Sequence, residues 1–272
     1  MSAGELVRVV VANEVAAANN TTTKHMFHSR KQTPKGSQTR LYVETNDAMA
    51  GMLIAINDQP LTPQQQEGET NHLAWLMNTS DQLRKKRAQE KKDADQTLRI
   101  VKALPDAFRY VYADTVNTAP GASGAFARLV RVNFTPNPDY SPPSHVEQVL
   151  QGMEGFLLID PDRRRIARID GTLFKDVTFL WGILGHLDKG GHFRVQQGDL
   201  GDGTWDITEM DLNITGKILF FKTISMVSDE VFSDFRRVPE NLTFAQGVEM
   251  LKVEQEKLAH ATAPSEARKT PQ

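Results

Sequence analysis

EGFLLIDPDRRRIARIDGTLF at 154–174 and WDITEMDLNITGKILFFKTISMV at 205–227 decide how this chain folds. Both are rich in β-branched and aromatic residues and are broken by turn chemistry, the signature of antiparallel strands. From Glu154 to Phe235 the pattern predicts a meander: Glu154–Ile159, Arg164–Leu173, Val177–Trp181, His192–Gln197, Thr204–Ile214, Lys217–Val227 and Glu230–Phe235. The predicted breaks are Asp160-Pro161-Asp162, Lys189-Gly190-Gly191, Gly201-Asp202-Gly203 and Thr215-Gly216. Glycine supplies positive φ in such turns, and Asp side chains bond their own backbone there.

Alternation within the strands adds detail. Trp205 and Ile207 share one face, while Met210, Leu212 and Ile214 share the other. That change of parity predicts a bulge near Thr208-Glu209. Apolar residues occur on both faces of several strands, so both sides of the sheet need covering. The seven-residue run Phe179–Gly185 has no polar side chain. It reads as a core strand turning inward, as an apolar lip beside a cavity, or as a surface that inserts into a membrane or partner.

Working outward, Gly4–Ala18 has helical spacing through Leu6, Val10 and Ala17. Strands are predicted over Thr23–Lys31, Gln38–Asn46 and Met49–Asn57. A helical insertion follows over 62–104. Thr62-Pro63 opens its first helix as cap and first residue. Thr79 and Gln82 have capping-box spacing for a second, Asp81–Leu104, which Pro105 should end. Its middle, Arg84–Asp95, is dense in both charges and reads as a solvated face. Phe108–Tyr112 and Phe126–Pro136 are predicted strands around a mobile loop, 113–125. Thr243–His260 is predicted helical, and 261–272, without large apolar residues, is expected to be a disordered tail. The fold class is therefore α+β: one large curved antiparallel sheet, a half-open barrel of about ten strands, with an N-terminal helix, the helical insertion and a C-terminal helix. One domain, 1–260, accounts for all of it.

The 272 residues contain no cysteine, which excludes disulfides, thiol catalysis and Cys-ligated metals. A net charge of −2 gives no general attraction to nucleic acid, and no run has the length of a membrane-spanning helix. Leu6–Val11 is too short and lacks the basic flank of a signal peptide. The compartment is thus periplasmic or cell envelope if a leader precedes Met1, and cytoplasmic otherwise. Peripheral membrane contact stays open, and nothing in the pattern calls for more than a monomer.

No catalytic residue and no metal or cofactor site is assigned. His25 and His28 fall on opposite faces of a strand. His186 and His192 with Asp188, and Asp199, Asp202 and Asp206, read as turn and surface residues. Arg163-Arg164-Arg165 reads as a guard on a sheet edge. Gly198-x-x-Gly201-x-Gly203 joins two strands and so lacks the helix N-terminus that a phosphate cradle uses.

Several stretches together resemble the LolA-like superfamily of bacterial lipoprotein carriers and outer-membrane lipoprotein-sorting proteins. They are the helix and first strands of Gly4–Val43, the strands Met153–Asp160 and Arg165–Gly171, and Phe220-Phe221-Lys222-Thr223. Asn133–Pro239 in particular is similar to uncharacterised bacterial secreted proteins of this general shape, and the likeness covers about two-thirds of the chain as architecture. It implies a half-barrel whose apolar interior takes up acyl chains, with an early-strand Arg holding the closed state. Arg30 and Arg40 lie in the corresponding region, and neither is assigned that role. The insertion and the 113–125 loop depart from the simple carrier pattern.

The leading expectation is a non-enzymatic protein that binds an acyl chain, lipid or lipoprotein. Its expected cavity residues are Phe156, Leu158, Trp181, Trp205, Ile207, Leu219 and Phe221. The alternative is a ligand-free scaffold acting through the charged helix 81–104 and the loop 113–125. An enzyme assembled from scattered Asp, His and Arg is the third reading.

Overall fold

The computed structural model describes residues 1–20, 22–117, 128–179, 185–218 and 222–262. The chain is α+β. Helix α1 (Ala3–Asn19) precedes strands β1 (Lys24–Thr33), β2 (Gly36–Val43), β3 (Ala50–Ile56) and the short β4 (Gln59–Pro60). Helices α2 (Pro63–Asn78) and α3 (Ser80–Ala107) come next, then β5 (Phe108–Asn117) and β6 (Arg128–Pro136). The short helix α4 (His145–Gln148) and a 3-10 turn lead into β7 (Met153–Asp160) and β8 (Arg165–Leu173). β9 (Val177–Phe179), β10 (Gly185–Leu187), β11 (His192–Asp199), β12 (Trp205–Ile218), β13 (Lys222–Val238) and helix α5 (Phe244–Thr262) complete it.

Among the described residues all 13 strands join one open sheet, ordered β4-β3-β2-β1-β13-β12-β11-β8-β7-β6-β5, with β10 attached to β12 and β9 to β10. The strands pair antiparallel from β6 through β7, β8, β11 and β12 to β13. The predicted bulge is present: Gln196 opposes Glu209 while Gln197 opposes Ile207, leaving Thr208 as the extra residue.

Cross-strand partners share a face, so the register shows which side each helix covers. One row runs Val132, Leu157, Ile169, Val195, Met210, Glu230, Lys31. On that face α1 and the C-terminal part of α3 pack over β5–β8, with Val7, Val10 and Ile159 fully buried. The adjacent row, Arg131, Leu158, Arg168, Gln196, Glu209, Val231, Arg30, lies on the opposite face. There α2 and α5 pack over β1–β3 on Leu41, Val43 and Met52, with Phe244, Val248 and Leu251 buried between. The helices therefore cover opposite faces at opposite ends of the sheet, rather than one side as a simple half-barrel would suggest.

Several boundaries differ from the sequence expectation for identifiable reasons. Pro105 does not end α3, which continues to Ala107. Leu104 and Ala107 are buried in the core, and the last carbonyls find partners: Tyr110 Oη donates to Leu104 O at 2.7 Å and Asn137 Nδ2 to Asp106 O at 3.0 Å. Thr62 caps α2 in a capping box with Gln65, whereas the Thr79 side chain makes no cap bond to α3. The turn expected at Thr215-Gly216 is strand. Gly216 lets β10 approach β12 so closely that a Cβ there would meet His186 O at 2.3 Å. β5 runs through a bulge to Asn117, into the segment expected to be loop; 118–125 lie outside the described residues. α5 reaches Thr262, two residues into the expected tail, and 263–272 also lie outside.

Two substitutions test this packing. Leu157 is 1% exposed at the centre of the α1 face. Leu157→Ala should cost about 2–5 kcal/mol in urea unfolding, as emptied core sites do. A Cβ on Gly155 would sit 1.9 Å from the Asp170 carbonyl oxygen on β8. Gly155→Ala should therefore lower the midpoint through displaced backbone, with no cavity formed; an unchanged midpoint would contradict the β7–β8 register.

Candidate functional site

At one end of the sheet, strand pairing lapses. β11 leaves β8 after Gln196, and β12 leaves β13 below Glu209. β13 continues instead along β1, up to the pair Lys24 and Val238. The β11–β12 hairpin tip, 197–207, thus stands free of backbone pairing on both flanks. The space beside it is a cavity of about 660 Å³ beneath the middle of α3. Ala94, Leu98 and Val101 of α3, Ala17 of α1, and Trp205 and Ile207 of the tip give it apolar walls. Lys24, His25, Glu44, Arg165 and Arg237 give it a polar side. The volume falls within the usual range of small-molecule sites, roughly 300–1,000 Å³.

The polar groups are fixed by contacts the sequence does not advertise. Glu14, near the end of α1, accepts both Arg165 Nε and Nη2 at 2.9 Å and the backbone N–H of Ile166 at 2.8 Å. This fork docks α1 onto the start of β8. His25 is 3% exposed; its Nε2 donates to Asp202 at 3.0 Å, and its backbone N–H donates to Glu44 at 2.7 Å. Burial pushes the Glu44 carboxyl up, and the His25 N–H partly offsets this. Burial also raises Asp202, but bonds from His25, Arg237 and Thr204 more than reverse it and hold that carboxyl far below the ordinary range.

His25 also links the cavity to an aromatic floor. Its ring meets Phe235 edge-on at 6.1 Å. Phe27 stacks on Phe235 at 5.1 Å and lies 5.5 Å from Tyr42 and 6.1 Å from Phe232. All four rings are half-buried. They belong to the sheet face that α1 and α3 cover further along, but they fall outside the α1 core cluster. Gly51 on β3 makes room for the Tyr42 ring, since a Cβ would lie 2.5 Å from it. Beyond the rings, Ser29 Oγ donates to Glu230 at 2.5 Å, and Lys31 pairs with Glu230 at 3.2 Å.

Of the expected cavity residues, Trp205 and Ile207 line this cavity. Phe156 and Leu158 lie elsewhere, on the opposite sheet face, in a small cluster with Leu129, Ala167 and the Trp205 ring. The Arg131 guanidinium covers Phe156 at 4.0 Å and Arg168 at 5.6 Å. Trp181, Leu219 and Phe221 lie outside the described residues. Phe27, Tyr42 and Phe232 were missed, although in β1 the alternation of His25, Phe27, Ser29 and Lys31 places an aromatic ring among polar neighbours on one face.

Other expectations resolve locally. His25 and His28 do face opposite ways, and His28 meets Asp234 at 2.9 Å. His186 pairs with Asp188, while His192 lies between Asp170 and Asp211 at 3.1 and 3.3 Å. Among the described residues no three His, Asp or Glu side chains come together as metal ligands. Asp199 and Asp202 accept backbone N–H groups of their own turn. Arg163 and Arg165 are not free edge guards: they bind Asp199 and Glu14 respectively. No helix among the described residues is long and apolar enough to cross a membrane.

No protein-family model and no curated protein matches the sequence. Among solved structures, the crystal structure of a DUF1329 family protein from Desulfovibrio piger is 9% identical, with a TM-score of 0.32 over 87% of this chain and 94% of that one. A likeness of that size carries no argument about this chain.

The Asp202 bonds have a pH signature. Its carboxyl is depressed in the folded state, so its contribution to stability is complete above the unfolded-state pKa and fades as pH falls toward the folded value. Asp202→Asn should therefore be less stable than the parent at pH 7. The gap should narrow steadily below about pH 4 in urea titrations. A gap that persists unchanged at pH 2.5 would show that the Asn side chain itself, not lost charge, is responsible.

Proposed function

We propose that this protein binds the acyl chain of a lipid or lipoprotein, without catalysis, in the space formed by the α3 cavity and the aromatic floor. The observation that carries the reading is the continuity of the two through His25. Half-buried rings stand beside the apolar walls of the cavity, and His25 lines the cavity and meets the Phe235 ring. Lys24, Arg237 and Glu44 around the opening suit the polar end of an amphiphile. The LolA-like resemblance of the strands points the same way, and with it a carrier role in the bacterial cell envelope.

The energetics are adequate without any reactive group. About 12 buried methylenes supply roughly 10 kcal/mol at ~0.8 kcal/mol each. Association costs of about 4 kcal/mol or more leave a dissociation constant on the order of tens of micromolar. The charged part of α3 offers less to a partner, since Lys86 pairs with Glu90 and Lys91 with Asp95 along the helix.

Titration with a fluorescent C16 fatty acid, together with lipid extraction of the purified protein, tests the proposal. Saturable uptake should weaken about tenfold or more in Ile207→Glu, which places a charge in the apolar wall. It should also weaken in Phe27→Ala, with circular dichroism unchanged in both. Folded variants that bind as the parent does would sink this site. A parent that neither carries nor takes up lipid would favour the scaffold reading.

A further inference from the structure

We infer that the β11–β12 hairpin tip, 197–207, is a flap that admits ligand to the α3 cavity, and that Asp202 is its latch. The inference rests on the reading of that cavity as the ligand site. The tip makes no strand pairing outside its own hairpin, because β8 and β13 part from it at Gln196 and Glu209. Thr208, the extra residue of the bulge, sits where the tip leaves the sheet.

Side-chain contacts alone hold the tip to its neighbours. On one flank the Asp202 carboxylate accepts His25 Nε2 at 3.0 Å from β1 and Arg237 Nε at 2.6 Å from β13. Arg237 Nη2 also donates to the Asp202 carbonyl at 2.8 Å. On the other flank Arg163 donates to Asp199 at 2.8 Å and lies over the Trp205 ring, whose Nε1 donates to Ile166 O at 3.1 Å. Gly201 and Gly203, both at positive φ, flank Asp202, and nothing packs within 4 Å of where a Cβ on either would lie.

Moving this tip opens the cavity without disturbing the α1 and α5 cores; it withdraws only the Trp205 ring from the small cluster of Leu129, Leu158 and Ala167. Trp205 and Ile207 travel with it, while the opposite wall belongs to α1 and α3. What opposes the motion is a few charge-assisted hydrogen bonds, most of them on Asp202, together with the seating of the Trp205 ring and its bond to Ile166 O.

Hydrogen exchange and stopped-flow binding of the same fatty acid test the latch with separate readouts. In ligand-free Asp202→Asn, amides of 198–207 should exchange about tenfold faster, while those of β7 keep the parent's rate. Asp199→Asn, released on the other flank, should show the same local pattern to a smaller degree. Association and dissociation rates for the fatty acid should rise together in both variants. Exchange that stays at the parent's rate in 198–207, or that rises equally throughout the protein, would overturn the latch. So would local loosening that leaves both binding rates unchanged. If the parent takes up no fatty acid, the ligand reading fails, and the exchange pattern alone still decides whether Asp202 holds the tip.

Discussion

A strand presents alternate residues to opposite faces, and this sheet must satisfy that rule with its helices on opposite sides at its two ends. At the β5–β8 end the buried residues are Leu157, Ile159 and Val132, on the face under α1. At the β1–β3 end they are Leu41, Val43 and Met52, on the other. The strands between, β11, β12 and β13, belong to neither core over much of their length. They are crossed by ionic side chains: Arg194 with Glu209, and His192 with Asp211 of β12 and Asp170 of β8. Partly exposed pairs of this kind add little stability each. They suit a region that must be soluble on one face and unfilled on the other.

The open end of the sheet follows from the same arrangement. β13 is long enough to pair with β12 along one stretch and with β1 along the next. Because β1 is drawn toward α5 and β8 toward α1, the hairpin between them loses its partners on both sides. The gap is filled by α3, a 28-residue helix whose two ends serve different cores. Leu83 packs with the α5 cluster and Ile100 with the α1 cluster, while Glu90 accepts the Met49 N–H at 3.0 Å on the way. The charged middle that reads as a solvated face is therefore the span of a beam between two cores, with the cavity below it.

Much of this was legible in sequence because it depends on local chemistry. Turn residues and period-two alternation located most strands, and the parity change between Ile207 and Met210 located the bulge at Thr208. The four long helices follow from spacing and from Thr62-Pro63, whereas the short α4 does not. What escaped was set by neighbours distant in sequence. Thr215-Gly216 looks like a turn, and only the approach of β10 explains a glycine inside a strand. Pro105 looks like a stop, and only burial of Leu104 and Ala107 explains why the helix continues. Phe156 and Leu158 alternate correctly, yet nothing local says which face is occupied by helix. The sequence therefore assigns Phe156 and Leu158 to the cavity, whereas they lie on the face where Arg131 and Arg168 cover the Phe156 ring.

The aromatic floor shows why faces matter more than composition for a binding site. Phe27 and Tyr42 of the β1–β2 hairpin and Phe232 and Phe235 of β13, about 190 residues later, meet only through the β13–β1–β2 pairing. The bulge in β13 at Asp234, a non-glycine residue at φ 56°, brings Phe235 against Phe27. Without that extra residue, alternation would place residues 233 and 235 on one face and Phe232 on the other. A left-handed aspartate costs on the order of 1 kcal/mol. Here His28 meets its carboxylate, so the same side chain that makes the bulge is anchored on the opposite face from the rings. The backbone irregularity thus gathers aromatic surface that regular pairing would divide between two faces, next to the cavity beside the hairpin tip.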